Sequence, residues 1–417
     1  MTTTSTARSS VPASSFSLLG VADDLVDALA ATGVVEPFPV QVLTIPDALA
    51  GRDVCGKAPT GSGKTLAFGI PIVERTVTAA ARAPGALILA PTRELARQIG
   101  DELVPLAAAR GLTVHVLQGG AAFEPQIRAL QAGVDIAVAT PGRLLDLVGQ
   151  GLVTLASVGI AVVDEADRMA DLGFLPQLRQ ILDLTPTDRQ TMLFSATLDG
   201  DVDVLVRDYQ RDPVLHEVDP AELAQIRHLW WLVHDAARPD LLAKLARRSG
   251  ATIVFSKTRH GADRIARRLS QAQVRTAVLH GGNSQLKREA ALDQFRRGEV
   301  FALVATDVAA RGIHVDDVAC VVQYDLPDDH KDYLHRAGRT GRAGAVGTVV
   351  SFVSPFNQAH ALRLIAEAGV DAELGEPDLA QIESAAVREA IEEQLVELAS
   401  VRRPGSVGAV DIAATRH

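Results

Sequence analysis

Short apolar runs recur along the chain, each ending in polar, Gly- or Pro-containing residues and followed by a stretch with helical spacing. Val54-Cys55, Ala86 to Ala90, Thr113 to Gln118, Asp135 to Thr140, Ile160 to Val163 and Gln190 to Phe194 are the runs of the first half. Around Asp212 to Ile226 the pattern breaks. It restarts with Arg227 to Val233, Ile253 to Phe255, Thr276 to Leu279, Phe301 to Ala305, Val318 to Gln323 and Gly347 to Val353. Near-continuous apolar strands alternating with helices predict an α/β fold in which each half is a parallel sheet covered by helices on both faces. The boundaries that follow are a disordered N-terminus at 1–15, a first domain at 16–215, a linker at 216–226, a second domain at 227–370 and an acidic helical tail at 371–417.

In that tail Leu379, Ile382, Ala386, Ala390, Leu395 and Leu398 share a helical face opposite a Glu-rich one. Two readings stand: a helix docked on the second domain, or a helix that recruits a protein partner.

Composition narrows the class. The 417 residues are 47% hydrophobic and 22% charged, as in a globular protein of two or three domains. With no apolar run of about 18 residues, no membrane span is expected. The Thr/Ser-rich start lacks a secretory core, and the two cysteines, Cys55 and Cys320, sit far apart in apolar runs. They read as core thiols of a cytoplasmic protein. A net charge of −10 weighs against a nucleic-acid binder. It does not exclude one, because backbone N–H groups and helix N-termini also hold phosphates.

The candidate chemistry sits at strand ends, where ligands bind in parallel sheets. Ala58-Pro-Thr-Gly-Ser-Gly-Lys-Thr65 joins a strand to a helix. Gly61 and Gly63 let successive N–H groups turn toward one anion, Lys64 adds a full charge, and the Thr65 hydroxyl suits Mg²⁺. Asp164 and Glu165 follow a buried strand, one placed for a metal and the other for a water. In the second half His335-Arg-Ala-Gly-Arg-Thr-Gly-Arg342 interleaves three arginines with glycines, a pattern suited to reaching a γ-phosphate across a cleft. Gln41 carries an amide that donates and accepts at once, as an adenine edge requires.

These residues, in this order, resemble the DEAD-box RNA helicases over roughly residues 16 to 353. Phe16 and Gln41 resemble the Q motif, and the Ala58–Thr65 loop motif I. Pro91-Thr-Arg-Glu-Leu-Ala96, Gly119-Gly120 and Thr140-Pro-Gly-Arg143 resemble motifs Ia, GG and Ib. Asp164-Glu-Ala-Asp167 is the motif for which the family is named, and Ser195-Ala-Thr197 resembles motif III. Val254 to Thr258, Gln285 with Arg288, Thr306 to Gly312 and His335 to Arg342 complete the set. The resemblance implies two tandem RecA-like domains that close on ATP, Mg²⁺ and single-stranded or short duplex RNA. It implies ATP contacts from Phe16, Gln41, Thr60, Gly61, Ser62, Gly63, Lys64, Thr65, Gly312 and His314. Thr65 and Asp164 would serve the metal, the latter through water, while Glu165 activates the attacking water and Arg339 and Arg342 act as fingers. Asp167, Ser195, Thr197 and His335 would couple the domains. Pro91, Arg93, Gly120, Thr140, Gly142, Arg143, Arg288 and Thr306 would touch the RNA backbone.

The chain departs from the family pattern at Val34, where an adenine-stacking aromatic is usual, and at His314, where Asp is usual. Phe38 stands ahead of Pro39 in place of a small polar residue, and Gly282 stands where Asp follows His-Gly. Weakened ATP binding is the expectation. The rival functions are an ATP-gated RNA clamp that seldom separates strands, and an ATPase acting on DNA or protein.

Overall fold

A computed structural model describes residues 15–59, 61–198, 200–218, 226–307, 318–341 and 347–382. The first half builds a sheet from β1 (Val54–Lys57), β2 (Ala86–Leu89), β3 (Val114–Leu117), β4 (Ile136–Ala139), β5 (Ile160–Val163), β6 (Gln190–Ser195) and β7 (Val214–Glu217), in the order β3-β4-β2-β5-β6-β1-β7. The pairings are parallel. Helices α1 (Asp23–Ala31), α2 (Pro39–Leu49), α3 (Lys64–Arg75), α4 (Arg93–Ala109), α5 (Phe123–Ala132), α6 (Pro141–Gly149), α7 (Ala166–Asp171), α8 (Leu175–Asp183) and α9 (Asp201–Tyr209) cover it.

Alternation along the strands sorts the core into two layers. Val54, Ile88, Val138, Val162 and Phe194 pack on one face, and Cys55, Leu89, Ala139, Val163 and Leu193 on the other. Both faces are apolar because both are roofed by helices, so the strands read as continuous rather than alternating runs.

The second half repeats the plan. β8 (Ile226–Leu232), β9 (Thr252–Phe255), β10 (Thr276–Leu279), β11 (Ala302–Ala305), β12 (Cys320–Gln323), β13 (Gly347–Val353) and β14 (Leu374–Gly375) run in the order β10-β11-β9-β12-β13-β8-β14. That is the first sheet's order with every strand advanced by seven. Its helices are α10 (Arg238–Ser249), α11 (Arg259–Gln271), α12 (Gln285–Arg296), α13 (His330–Ala337) and α14 (Gln358–Ala368). The fold is thus two RecA-like α/β units in tandem.

Two strands escaped the sequence pattern. β7 lies where the linker was expected to begin, and it pairs with β1 from Val54↔Val214 to Lys57↔Glu217. As an edge strand it is half covered, with Leu215 and Glu217 exposed, so no apolar run marks it. The first unit therefore extends through Val218, which is buried in its core. β14 lies in the expected tail and pairs with β8 at Leu374↔Trp230. From Asp378 a helix was expected. The described part is a single 3₁₀ turn, Leu379–Gln381, ending at a buried Ile382. Arg248 Nε donates to the Ile382 carbonyl at 2.6 Å, and Arg227 to that of Gln381 at 2.8 Å. Residues 371–382 thus belong to the second unit. Of the disorder expected at 1–15, Ser15 is instead ordered as the cap of a 3₁₀ turn over Phe16–Leu19; residues 1–14, most of the linker and the tail from 383 lie outside the described residues, as do Thr60, Gly312, His314 and Arg342.

Both cysteines are free and buried, and burial pushes the Cys55 thiol up to about 12, as expected of inert core thiols. Among the described residues, no helix is long and apolar enough to cross a membrane.

Candidate active site

Strands β5, β6 and β1 are neighbours in the sheet, so their carboxyl ends present Asp164, Ser195 and the Ala58–Thr65 loop side by side. The Ala58 N–H donates to the Ser195 carbonyl at 3.0 Å, closing this row. Gly61 and Gly63 both have left-handed φ, 87° and 86°, and Gly63 opens α3. A Cβ on Gly63 would sit 2.6 Å from Gln41 Nε2 and 2.7 Å from Phe38 Cδ2, so glycine is required on two counts. Lys64 Nζ donates to the Ala58 carbonyl at 2.8 Å, and the Ser62 hydroxyl to that of Pro59 at 2.8 Å.

Gln41 is fully buried. Its Nε2 donates to the Gly63 carbonyl and its Oε1 accepts from the Phe38 N–H, both at 2.9 Å. It is tied to the loop itself, which leaves one Nε2 hydrogen and one Oε1 lone pair for any base. Phe16 is buried in the core of the first unit.

Burial pushes the Asp164 carboxyl up to about 7 against the pull of Lys64. Glu165 adopts the left-handed region, φ 49° and ψ 53°, which turns its side chain at the head of α7. Burial pushes its carboxyl up, but Arg168, Arg339 and Lys64 together hold it below the usual range. Arg168 Nη1 lies 2.8 Å from Glu165 Oε2, with the two side chains 5% and 7% exposed.

Asp167 joins three elements. Its N–H donates to Ser195 Oγ at 3.1 Å, and its Oδ2 accepts from the Ala196 and Thr197 N–H groups at 3.2 Å each. His335 on α13 of the second unit brings Nε2 to 3.8 Å from that same Oδ2. Despite burial, His335 holds the Asp167 carboxyl down at about 2. Lys64, Glu165 and Arg168 thus face His335, Arg336 and Arg339 in one cleft. Arg336 is spoken for within the second unit. It grips Asp307 at 2.6 and 2.8 Å and donates to the Asp325 carbonyl at 2.7 Å.

The remaining site candidates line the rims of both sheets. Thr92 caps α4, and Arg93, its first residue, lies over Gly120, whose added Cβ would strike the guanidinium. Thr140 precedes α6 at its N-cap position without a side-chain capping bond; Gly142 is exposed, and Arg143 stacks on Phe123 at 4.7 Å. Pro91 and Thr306 are buried at strand ends. Arg288 is engaged across the cleft: its Nη2 lies 2.7 Å from Glu94 Oε1, with Gln285 Nε2 3.4 Å from the same oxygen. Arg97 adds Glu289 at 3.6 Å and Asp293 at 4.0 Å.

Arg168, Glu94, Arg97 and Asp307 were absent from the sequence-derived set. Arg168 carried a signal, standing three residues after Glu165 on a helix, where opposite charges meet. Glu94 and Asp307 lie inside the Pro91–Ala96 and Thr306–Gly312 stretches, but the ion pairs that they and Arg97 form carried no signal, since the partners are distant in sequence.

Fold and site together define a two-unit α/β protein in which the loop after β1 faces basic residues from the second unit. The sequence pattern of the family described as DEAD/DEAH box helicase matches residues 38–205, and that described as helicase conserved C-terminal domain matches 237–344. The chain is 38% identical over 344 residues to the DEAD-box ATP-dependent RNA helicase CshA of Geobacillus kaustophilus, covering 82% of this chain and 73% of that one. It is 44% identical over 350 residues to the ATP-dependent RNA helicase RhlB of Xanthomonas oryzae, covering 81% of this chain and 61% of that one. It therefore spans only about three fifths of the length of the Xanthomonas relatives. The solved structure of S. cerevisiae Dbp5 bound to RNA and ADP BeF3 superposes with a TM-score of 0.79 at 29% identity, covering 91% of this chain and 99% of that one. The chain belongs to the DEAD-box helicase family.

Proposed function

We propose that this chain is an ATP-dependent RNA helicase that hydrolyses ATP to separate short RNA duplexes locally or to remodel RNA–protein complexes. The observation that carries the reading is the convergence of Lys64 and Glu165 from one unit with His335 and Arg339 from the other on a single cleft. That arrangement makes phosphate chemistry depend on how the two units meet. Lys64 neutralises the outer phosphates. Glu165, held ionised, orients and deprotonates the attacking water, and Arg339 meets the charge that develops on the γ-phosphate. Arg342 and the Thr306–Gly312 segment with His314 complete this proposal from the sequence. Asp167 accepts hydrogen bonds from the β6 end while facing His335, so it links hydrolysis to the contact between units.

Mg²⁺ is held by one or two protein oxygens together with substrate phosphates. A hydroxyl at Thr65, in the first turn of α3 after β1, and a carboxyl at Asp164, at the end of β5 with β6 between the two strands, fit that donor set, and bound Mg²⁺ would supply charge neutralisation. RNA would lie along the rim from Pro91 and Arg93 through Gly120, Thr140, Gly142 and Arg143 to Arg288 and Thr306, gripped through backbone groups. The free, buried thiols support a reducing, cytoplasmic setting.

The test is steady-state ATP hydrolysis with and without single-stranded RNA, with Glu165→Gln as control. Stimulation by RNA that vanishes in the variant is expected. RNA binding without stimulation would replace the helicase with a clamp, and stimulation by DNA equal to RNA would remove the RNA assignment.

A further inference from the structure

We propose that the outer face of α10 and α11 is a second RNA contact surface, outside the cleft, which grips the phosphates of a strand running on beyond the cleft. This rests on the RNA reading above and adds a site to it.

The first observation is charge. Residues 238–271 hold nine Lys and Arg against two Asp in a chain whose net charge is −10; Arg247, Arg248 and Lys257 are engaged by the Ala272 carbonyl, the Ile382 carbonyl and Asp328, which leaves the positive surplus on the exposed face of α10 and α11. A local basic stripe on an acidic protein is the footprint of a polyanion site. The second is shape. A groove of about 820 Å³ between α10 and α11 is lined by Arg238, Arg264, Arg268 and Tyr324.

The third is the state of those arginines. Arg238 is engaged by the Tyr324 carbonyl at 3.2 Å and by Asp235 at 3.2 Å. The groove's other carboxylate at the strand end, Asp325, accepts from Ser256 Oγ at 3.0 Å and the Lys257 N–H at 2.9 Å. Asp240 remains at the lip. Arg264 and Arg268 are exposed, and neither forms an ion pair among the described residues. They stand four apart on α11, where like charges repel. An anion between them would relieve that repulsion.

The groove favours RNA over an acidic protein. Leu242, Ile265 and Leu269 beneath it are already buried in the core, so it offers charge without a pocket for an apolar anchor. Phosphates ask only for charge. The stripe also begins at the rim: Arg259 opens α11, and its guanidinium lies 3.4 Å from where a Cβ on Gly281 would be. The nine-residue step to Arg268 runs about 13.5 Å down the helix from there.

The experiment compares the full chain with Arg264→Glu/Arg268→Glu and the milder Arg264→Gln/Arg268→Gln. Affinity is measured over a salt series for a short strand that fills only the cleft and for a strand several times longer. In the unsubstituted chain the long strand should bind more tightly. In both variants that advantage shrinks several-fold, and the slope of log affinity against log salt falls by about 1.4, or 0.7 per lost contact. Binding of the short strand, and the hydrolysis it stimulates, stay unchanged. Equal binding of long and short strands by the unsubstituted chain, or no change in either variant, overturns the proposal. So does loss of binding to a polyglutamate peptide with long-strand binding intact, which would assign the groove to an acidic protein. If the short strand itself fails to stimulate the unsubstituted chain, the helicase reading falls first and this site with it.

Discussion

Replacing Arg168 by Gln should destabilise the protein through one buried carboxylate. Glu165 and Arg168 are 7% and 5% exposed and meet at 2.8 Å. Removing one partner of such a pair costs about 3–5 kcal/mol, because the other charge is left buried and underpaired. Arg339 and Lys64 also act on Glu165 and soften the loss, so the lower end of that range applies. In a domain of this size about 3 kcal/mol corresponds to a fall in Tm of roughly 6–12 °C. Scanning calorimetry at neutral pH measures it. The decisive comparison is the double-mutant cycle with Glu165→Gln. Once the carboxylate is gone, Arg168→Gln should cost little, and the coupling should approach the cost of the single change. An Arg168→Gln variant that melts within about 2 °C of the unsubstituted protein would refute the reasoning. So would equal costs of Arg168→Gln in the presence and absence of the Glu165 charge, since these would assign Arg168 to packing alone.

Other outcomes follow from particular contacts. Val34→Phe should add a stacking face worth about 0.5–1.5 kcal/mol, tightening nucleotide binding roughly two- to twelvefold in a titration with a fluorescent nucleotide; unchanged affinity would show that Phe38, packed against Gly63, already supplies that face. Gly120→Ala places a Cβ against the Arg93 guanidinium at φ +77°, and should cost about 1 kcal/mol or more while weakening RNA binding, both readable by melting and anisotropy. Glu94→Gln strands Arg288 at the cleft; the loss of about 2 kcal/mol should raise the RNA concentration for half-maximal stimulation about thirtyfold with little change at saturation. His228 donates to or accepts from the Tyr333 hydroxyl at 2.7 Å, and burial pushes it down to about 4. The unfolded chain then takes the proton first, so stability is full above pH 6.5 and declines as pH falls toward 4, by about 3 kcal/mol in all; His228→Asn should flatten that decline in melts taken across the window.

Much of this molecule was written locally. Apolar runs such as Ile160–Val163 and Ala302–Ala305 declare strands buried on both faces, because a strand roofed by helices has no polar side to show. The loop from Ala58 to Thr65 and the Asp164–Asp167 quartet are legible because phosphate and metal chemistry demand particular residues at fixed spacing. β7 and β14 were not legible: an edge strand is half covered, and its pairing partner, not its own sequence, makes it a strand. The pairing of Arg288 with Glu94, the engagement of Arg336 by Asp307 and the approach of His335 to Asp167 depend on residues from 29 to 194 positions apart, and no local pattern records such distances. Gln41 shows the same division. Its amide marks it in the sequence as a group that reads polar edges, but only the packing of α2 against the Ala58–Thr65 loop gave that amide to Gly63 and Phe38. Sequence determined the strands buried on both faces, the loop and the list of chemical groups, because these follow from periodicity and residue type. Tertiary structure decided which charges neutralise one another and which arginines on α11 remain for a ligand, because electrostatic pairing depends on distance in space and on burial.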